Sequence, residues 1–150
     1  MYILIVEDDH SQARLIQEAL RKEADFGSPD TQIRRMSTES QFRNSLEEIA
    51  ARKPDVIVMD VMLRWTDPTP DLKPPPDDVR KEGFFRAGLR NAKLLAQDER
   101  TKNIPVILYT MLDKIDLEGT PELLGITYLP KDSKLTPLVH TIRALINKSS

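Results

Sequence analysis

Four short apolar runs in this 150-residue chain lead into residues able to do chemistry. YILIV (2–6) is followed by Glu7-Asp8-Asp9, VIVM (56–59) by Asp60, VILY (106–109) by Thr110, and TYLP (127–130) by Lys131. Clustered carboxylates repel one another and invite a hard divalent cation, and Mg2+ is the one that prefers a few carboxylate oxygens beside a phosphate. A carboxylate on such a cation can attack a phosphoryl group to give an acyl phosphate. The cation, an ammonium and a hydroxyl then neutralise the transferring oxygens. Asp60, Mg2+, Lys131 and Thr110 fill those roles.

Each residue taken alone has a plainer reading. Glu7-Asp8-Asp9 could simply favour a helix N-terminus through the macrodipole. Thr110 could be an ordinary strand-end residue, and Lys131 a solvated one. Asp60 is harder to dismiss, because it stands between Met59 and Val61 among seven apolar neighbours. A carboxylate there costs several kcal/mol unless it is paired or bound to a metal.

These residues need elements to position them. The apolar runs 2–6, 56–59, 105–109 and 127–129 predict strands, with 32–36 a weaker candidate. Between them lie helix-period segments. Asp9 with Gln12, and Thr38 with Gln41, have capping-box spacing. Leu15, Ile16, Ala19 and Leu20 make the first apolar stripe, and Phe42, Leu46, Ile49 and Ala50 the second. Residues 83–97 predict a helix facing inward through Phe85, Leu89, Ala92 and Leu95. Residues 113–124 read as one short helix broken by Gly119 and Pro121. Thr136-Pro137 opens the last helix, with Leu138, Val139, Ile142, Leu145 and Ile146 on its apolar face. Five β-α units predict an α/β fold of the flavodoxin-like (βα)5 type: a doubly wound, five-stranded parallel sheet with helices on both faces. In such sheets ligands sit beyond the carboxyl ends of the strands, where the strand order reverses.

Composition narrows the function. No cysteine is present, which removes disulfides, thiol catalysis and thiolate zinc sites, and two histidines are too few for a histidine metal cluster. Twenty-two basic against 24 acidic residues give a net charge of −2, which argues against a nucleic-acid or anionic-membrane surface. No apolar run approaches the ~20 residues that cross a bilayer, and no signal-peptide pattern opens the chain. A soluble, cytoplasmic protein without membrane insertion is the expectation. Eleven prolines stand against five glycines. Pro68, Pro70, Pro74, Pro75 and Pro76 cluster in a stretch that is expected to hold neither regular helix nor central strand.

With its motifs ILIVEDD, VIVMDVML, VILYT and YLPK in this order and spacing, the chain resembles the receiver domain of two-component response regulators over essentially its whole length. The resemblance implies a single receiver domain, 1–150, with Asp60 as phosphoacceptor. It implies that Glu7 and Asp8 hold Mg2+, Asp8 directly, together with Asp60 and the backbone carbonyl of Met62. Asp9 lies one position beyond the acidic pair and is left as a cap. Thr110 matches the switch hydroxyl and Lys131 the family's lysine. Tyr128 matches the aromatic that turns inward on activation; a strand-edge tyrosine without a switching role is the alternative.

Three departures stand out. Leu63-Arg64 replaces the family's Met-Pro, and Gly83 arrives 23 residues after Asp60, where the family spends roughly eight. About fifteen residues are thus inserted within 64–82, and such a length suggests function: a Pro-rich lid or docking arm. Trp65, at the start of this stretch, reads as an anchor for the loop or a partner contact, the anchor being favoured. Met111 replaces a small residue beside the switch threonine and is expected to restrict access to the acyl phosphate. Lys131-Asp132 lacks the family's proline, which leaves the bond trans or strained.

The resemblance implies a receiver that takes a phosphoryl group from a sensor histidine kinase or a histidine phosphotransfer protein. It would catalyse its own phosphorylation and slow dephosphorylation, without being a turnover enzyme on an external substrate. With no output domain in these residues, it is expected to act on a downstream protein target, although it could be a fragment of a longer regulator. The second reading is an interaction module that works without phosphorylation. An aspartyl phosphohydrolase would need a second acid where Met62 stands. A flavin site is opposed by three acids where a phosphate cradle would be.

Overall fold

The computed structural model describes residues 1–68, 70 and 73–149. Five strands, β1 (Tyr2–Val6), β2 (Gln32–Met36), β3 (Val56–Met59), β4 (Val106–Thr110) and β5 (Thr127–Pro130), form one parallel sheet in the order β2-β1-β3-β4-β5. Alternate side chains of a strand face opposite sides, and both sides are covered. Ile3, Ile5, Val58 and Ile107 pack with Ile16 and Leu20 of α1 (His10–Arg21) and with Leu138 and Ile142 of the C-terminal helix. Leu4, Val6, Met59 and Leu108 pack on the other side with Phe42, Ile49, Leu89 and Leu95. The expected doubly wound α/β fold is present.

Asp9 caps α1 by accepting the Gln12 N–H at 2.9 Å, and Thr38 accepts the Gln41 N–H at 3.1 Å. The α1 stripe is Ala13, Ile16 and Leu20, whereas Leu15 is 52% exposed. Adjacent residues on a helix diverge by about 100°, so Leu15 cannot share the inward direction of Ile16. The second helix divides into α2 (Glu39–Asn44) and α3 (Leu46–Ala51). The break falls at Ser45, whose hydroxyl donates back to the Gln41 carbonyl at 2.8 Å, a bond that competes with regular helix.

The described residues of the Pro cluster hold neither helix nor strand, as expected, and a short helix follows them. α4 (Asp77–Glu82) follows Pro76 directly, with Asp77 and Asp78 in its first turn, where negative charge suits the dipole. The single helix expected over 83–97 is interrupted. Gly83 takes a positive φ of 81°, Phe84–Arg86 form a 3-10 turn, and α5 runs from Ala87 to Gln97. Phe85 is therefore not an inward residue; it is 55% exposed and stacked on Phe84. Residues 114–124 form a 3-10 turn (Lys114–Leu117) and α6 (Thr120–Leu124), parted at Glu118 and Gly119, both left-handed. Pro121 lies inside the first turn of α6 rather than breaking it. α7 (Thr136–Ser149) closes the chain's described part.

Candidate functional site

The sheet order reverses at β1, between β2 and β3, and the register sets Val6 against Met59. The next residues of the two strands, Glu7 and Asp60, therefore emerge side by side at the switch point. The ladder continues one step further, with Glu7 N–H on the Met36 carbonyl at 3.0 Å and Asp60 N–H on the Val6 carbonyl at 2.9 Å. On the far side, Thr110 pairs with Pro130, and the Lys131 N–H bonds to the Thr110 carbonyl at 2.8 Å. Sheet geometry alone thus carries all four motifs to one rim.

Glu7, Asp60 and Lys131 meet there. The Lys131 ammonium donates to Glu7 Oε1 at 2.5 Å and to Asp60 Oδ2 at 3.0 Å. Asp60 Oδ1 accepts the N–H groups of Val61 (2.7 Å) and Met62 (3.4 Å), which places the Met62 backbone against the same carboxylate. Glu7 and Asp60 are 2% and 6% exposed. Two buried carboxylates on one ammonium leave an excess of negative charge. Burial, and then the neighbouring Asp60, push the Glu7 carboxyl up to about 8. For Lys131, burial works downward, but the Asp60 charge and the bonds to Glu7 and Asp60 outweigh it, so its pKa rises.

The site fits a cation. Glu7 Oε2 is buried without a hydrogen-bond partner among the described residues. Glu7, Asp8 and Asp60 each offer a carboxylate oxygen, and these lie within 4.8 Å of one another. Hard carboxylate oxygens suit Mg2+ or a similar ion.

Thr110 is fully buried, and its hydroxyl accepts the Leu112 N–H at 3.2 Å. The Tyr128 hydroxyl donates to the Leu112 carbonyl at 2.9 Å, so both expected switch residues hold the same loop residue. Met111, expected to restrict access to the acyl phosphate, is 69% exposed. The Lys131–Asp132 bond is trans.

Several residues of the site carried no motif. Arg35 of β2 donates to the carbonyls of Glu7 (3.0 Å) and Asp8 (3.2 Å). Arg64 donates its backbone N–H to Asp8 Oδ2 at 3.2 Å and its guanidinium to the Asp8 carbonyl at 2.9 Å. Gly88 of α5 rests on the phosphoacceptor-candidate strand end: its N–H bonds to the Val61 carbonyl at 2.9 Å, and a Cβ there would meet the Asp60 carbonyl oxygen at 2.2 Å. The glycine that packs α5 on this loop is thus Gly88 rather than Gly83. Only a spacing rule tied to helix packing could have singled it out.

The loop after β3 is strapped down at its start. The carbonyls of Arg64 and Trp65 accept the N–H groups of Glu39 (2.9 Å) and Ser40 (2.8 Å). Half-buried Trp65 lies under the Arg43 guanidinium, 5.5 Å from ring centroid to Cζ, which supports the anchor reading. Farther on, Pro68, Pro70, Pro74 and Pro76 are exposed, while Thr69, Asp71 and Leu72 lie outside the described residues.

A scan against protein-family models finds no match to this chain, and a search of curated proteins finds none either. Solved structures do match. The signal receiver domain of a DNA-binding response regulator from Colwellia psychrerythraea 34H is 24% identical, with a TM-score of 0.70 and 98% of each chain covered. The chain has the receiver-domain fold. A response regulator receiver protein from Pseudoalteromonas atlantica is 13% identical at a TM-score of 0.69, with 100% of both chains covered. The Mn2+-bound form of response regulator Rcp1 is 21% identical at a TM-score of 0.67, covering 96% of this chain and 90% of its own. The rim of this receiver fold is where Glu7, Asp8, Asp60, Thr110 and Lys131 stand. No helix among its described residues is long and apolar enough to cross a membrane.

Proposed function

We propose that this chain is a cytoplasmic phosphoryl-accepting switch of two-component signalling, with Asp60 as acceptor and a phosphohistidine on a kinase or phosphotransfer protein as donor. One observation carries the reading: an ammonium shared by two buried carboxylates at the switch point, with a third carboxylate within cation-sharing distance. Glu7, Asp8 and Asp60 would hold Mg2+, with the Met62 backbone carbonyl as a further ligand. When bound, the ion supplies positive charge for the transferring oxygens. An Asp60 oxygen attacks phosphorus, the P–N bond to the donor imidazole breaks, and the electron pair leaves with the imidazole. Lys131 neutralises charge on the phosphoryl oxygens, and Thr110 can reorient its hydroxyl to donate to them. That turn gives up the Leu112 N–H bond, and Tyr128 is tied to Leu112 through its carbonyl, so the loop after β4 would carry the change to a downstream protein. The completeness of the acid–lysine–hydroxyl set favours this over a module that works without phosphorylation.

Incubation with Mg2+ and acetyl phosphate is expected to add one phosphoryl group, read by intact-protein mass, and Asp60→Asn abolishes it. An unmodified wild type, with a phosphotransfer screen against histidine kinases also silent, overturns the reading. Met111→Ala is expected to speed exchange with acetyl phosphate modestly; unchanged kinetics remove Met111 as an access control.

A further inference from the structure

Asp8 is the least buried of the three candidate cation ligands, and it is already engaged. The Arg64 backbone N–H reaches its Oδ2 at 3.2 Å, and the guanidinium Nε lies 3.9 Å from the same oxygen. The guanidinium also donates to the Asp8 carbonyl at 2.9 Å, which fixes the charge beside the carboxylate. Arg35 holds the same loop through carbonyls alone. Of the two arginines, then, Arg64 is the one that faces the carboxylate oxygen offered to a cation.

We propose that Arg64 is a competing latch: its guanidinium neutralises Asp8 in the cation-free site, opposes the incoming divalent ion, and so sets the ion concentration at which the site loads. The inference rests on the cation site proposed above. Its physical basis is repulsion between like charges. A guanidinium held near 4 Å from the ligand oxygen also stands close to any ion sharing that oxygen. The side chain is 47% exposed, so it can swing to solvent once displaced, and Asp67, 3.6 Å from its Nη1, offers an alternative partner on the same loop.

A merely structural role predicts the opposite sign. If Arg64 only pre-arranged Asp8, its removal would weaken cation binding; a latch predicts that removal tightens it. Mg2+ titration by isothermal calorimetry is therefore run on wild type, Arg64→Ala, Arg64→Gln and Arg64→Lys, with Asp8→Asn as the site control. All the Arg64 variants keep the backbone N–H, so only the charge and its reach change. Arg64→Ala and Arg64→Gln are expected to tighten binding about three- to tenfold. Arg64→Lys is expected to stay near wild type. The gap is expected to narrow at about 0.5 M salt, where screening weakens the repulsion. Equal or weaker binding in Arg64→Ala and Arg64→Gln, or tightening of the same size in Arg64→Lys, overturns the latch while leaving the cation site standing. No binding in wild type or any Arg64 variant overturns the site itself and the latch with it.

Discussion

Two buried charge clusters among the described residues have opposite stoichiometry at their centres. Around Glu39, two guanidiniums serve one carboxylate. Arg90 forms a bidentate pair with it, Nε to Oε2 at 2.8 Å and Nη2 to Oε1 at 2.7 Å, and Arg43 approaches at 3.3 Å. Around Lys131, one ammonium serves two carboxylates. The unpartnered buried atoms follow suit: nitrogens of Arg43 and Arg90 in the first cluster, Oε2 of Glu7 in the second. A carboxylate with a surplus of donors is held in place and has nothing left to bind. Carboxylates with a deficit remain open to a cation and to chemistry. Similar burial therefore serves architecture in one place and a reactive site in the other.

The architectural cluster predicts the largest effect. Glu39 ties α2 to α5 through Arg90, and Arg43 extends the network to Asp78 of α4 at 2.6 Å. Glu39→Ala takes from Arg90, 5% exposed, its bidentate partner and leaves it the looser contact with Glu82 at 3.8 Å. The expected loss is about 3–5 kcal/mol, read by urea denaturation, with Mg2+ making no difference to it. A loss below about 1 kcal/mol would mean that the pair is no more than a surface-like contact.

The reactive cluster predicts the reverse sign. Glu7→Gln removes the excess charge, and its amide can donate to Asp60 as a protonated Glu7 would. Without a cation, the variant is expected to be more stable than wild type by about 1–3 kcal/mol near pH 8. Saturating Mg2+ should stabilise wild type by mass action and the variant far less. A destabilised Glu7→Gln would show that Glu7, like Glu39, is there to hold the fold, and would erase the contrast.

The contrast was only half legible in the sequence. Unbroken apolar runs marked the strands, and because a parallel sheet aligns their carboxyl ends, the residues just beyond them were legible as a site. Helix phase was harder. Leu15 and Ile16 are equally apolar, and only packing decides which turns inward; of Phe84 and Phe85 neither does, at 50% and 55% exposed. α4 buries a single apolar residue, Val79, and has no side-chain N-cap, so neither periodicity nor a cap announces it. The Glu39–Arg90 pair joins residues 51 apart in the chain, and Arg64 meets Asp8 across 56. A single sequence has no local signal for such charge pairs. Asp60 stood out because an acid inside an apolar run demands an explanation, whereas Glu39 sits at an ordinary helix start.

The smallest effect is a pH slope, and its sign separates the clusters. In the folded protein Glu7 keeps its proton up to about pH 8, because burial and Asp60 disfavour the charged form. In the unfolded chain the same carboxyl ionises near its ordinary value of 4.5. Between these two values the native state binds more protons than the unfolded state, so stability falls as pH rises. One proton limits the slope to at most about 1.4 kcal/mol per pH unit. The contribution is fully present below pH 4.5 and lost by pH 8. Urea midpoints measured from pH 5 to 8 in the presence of a chelator should decline in wild type and lose that decline in Glu7→Gln. Mg2+ should flatten it as well, since a bound cation favours the ionised carboxylate at every pH. A flat wild-type profile would mean that Glu7 is already ionised and compensated, and the two clusters would then be electrostatically alike.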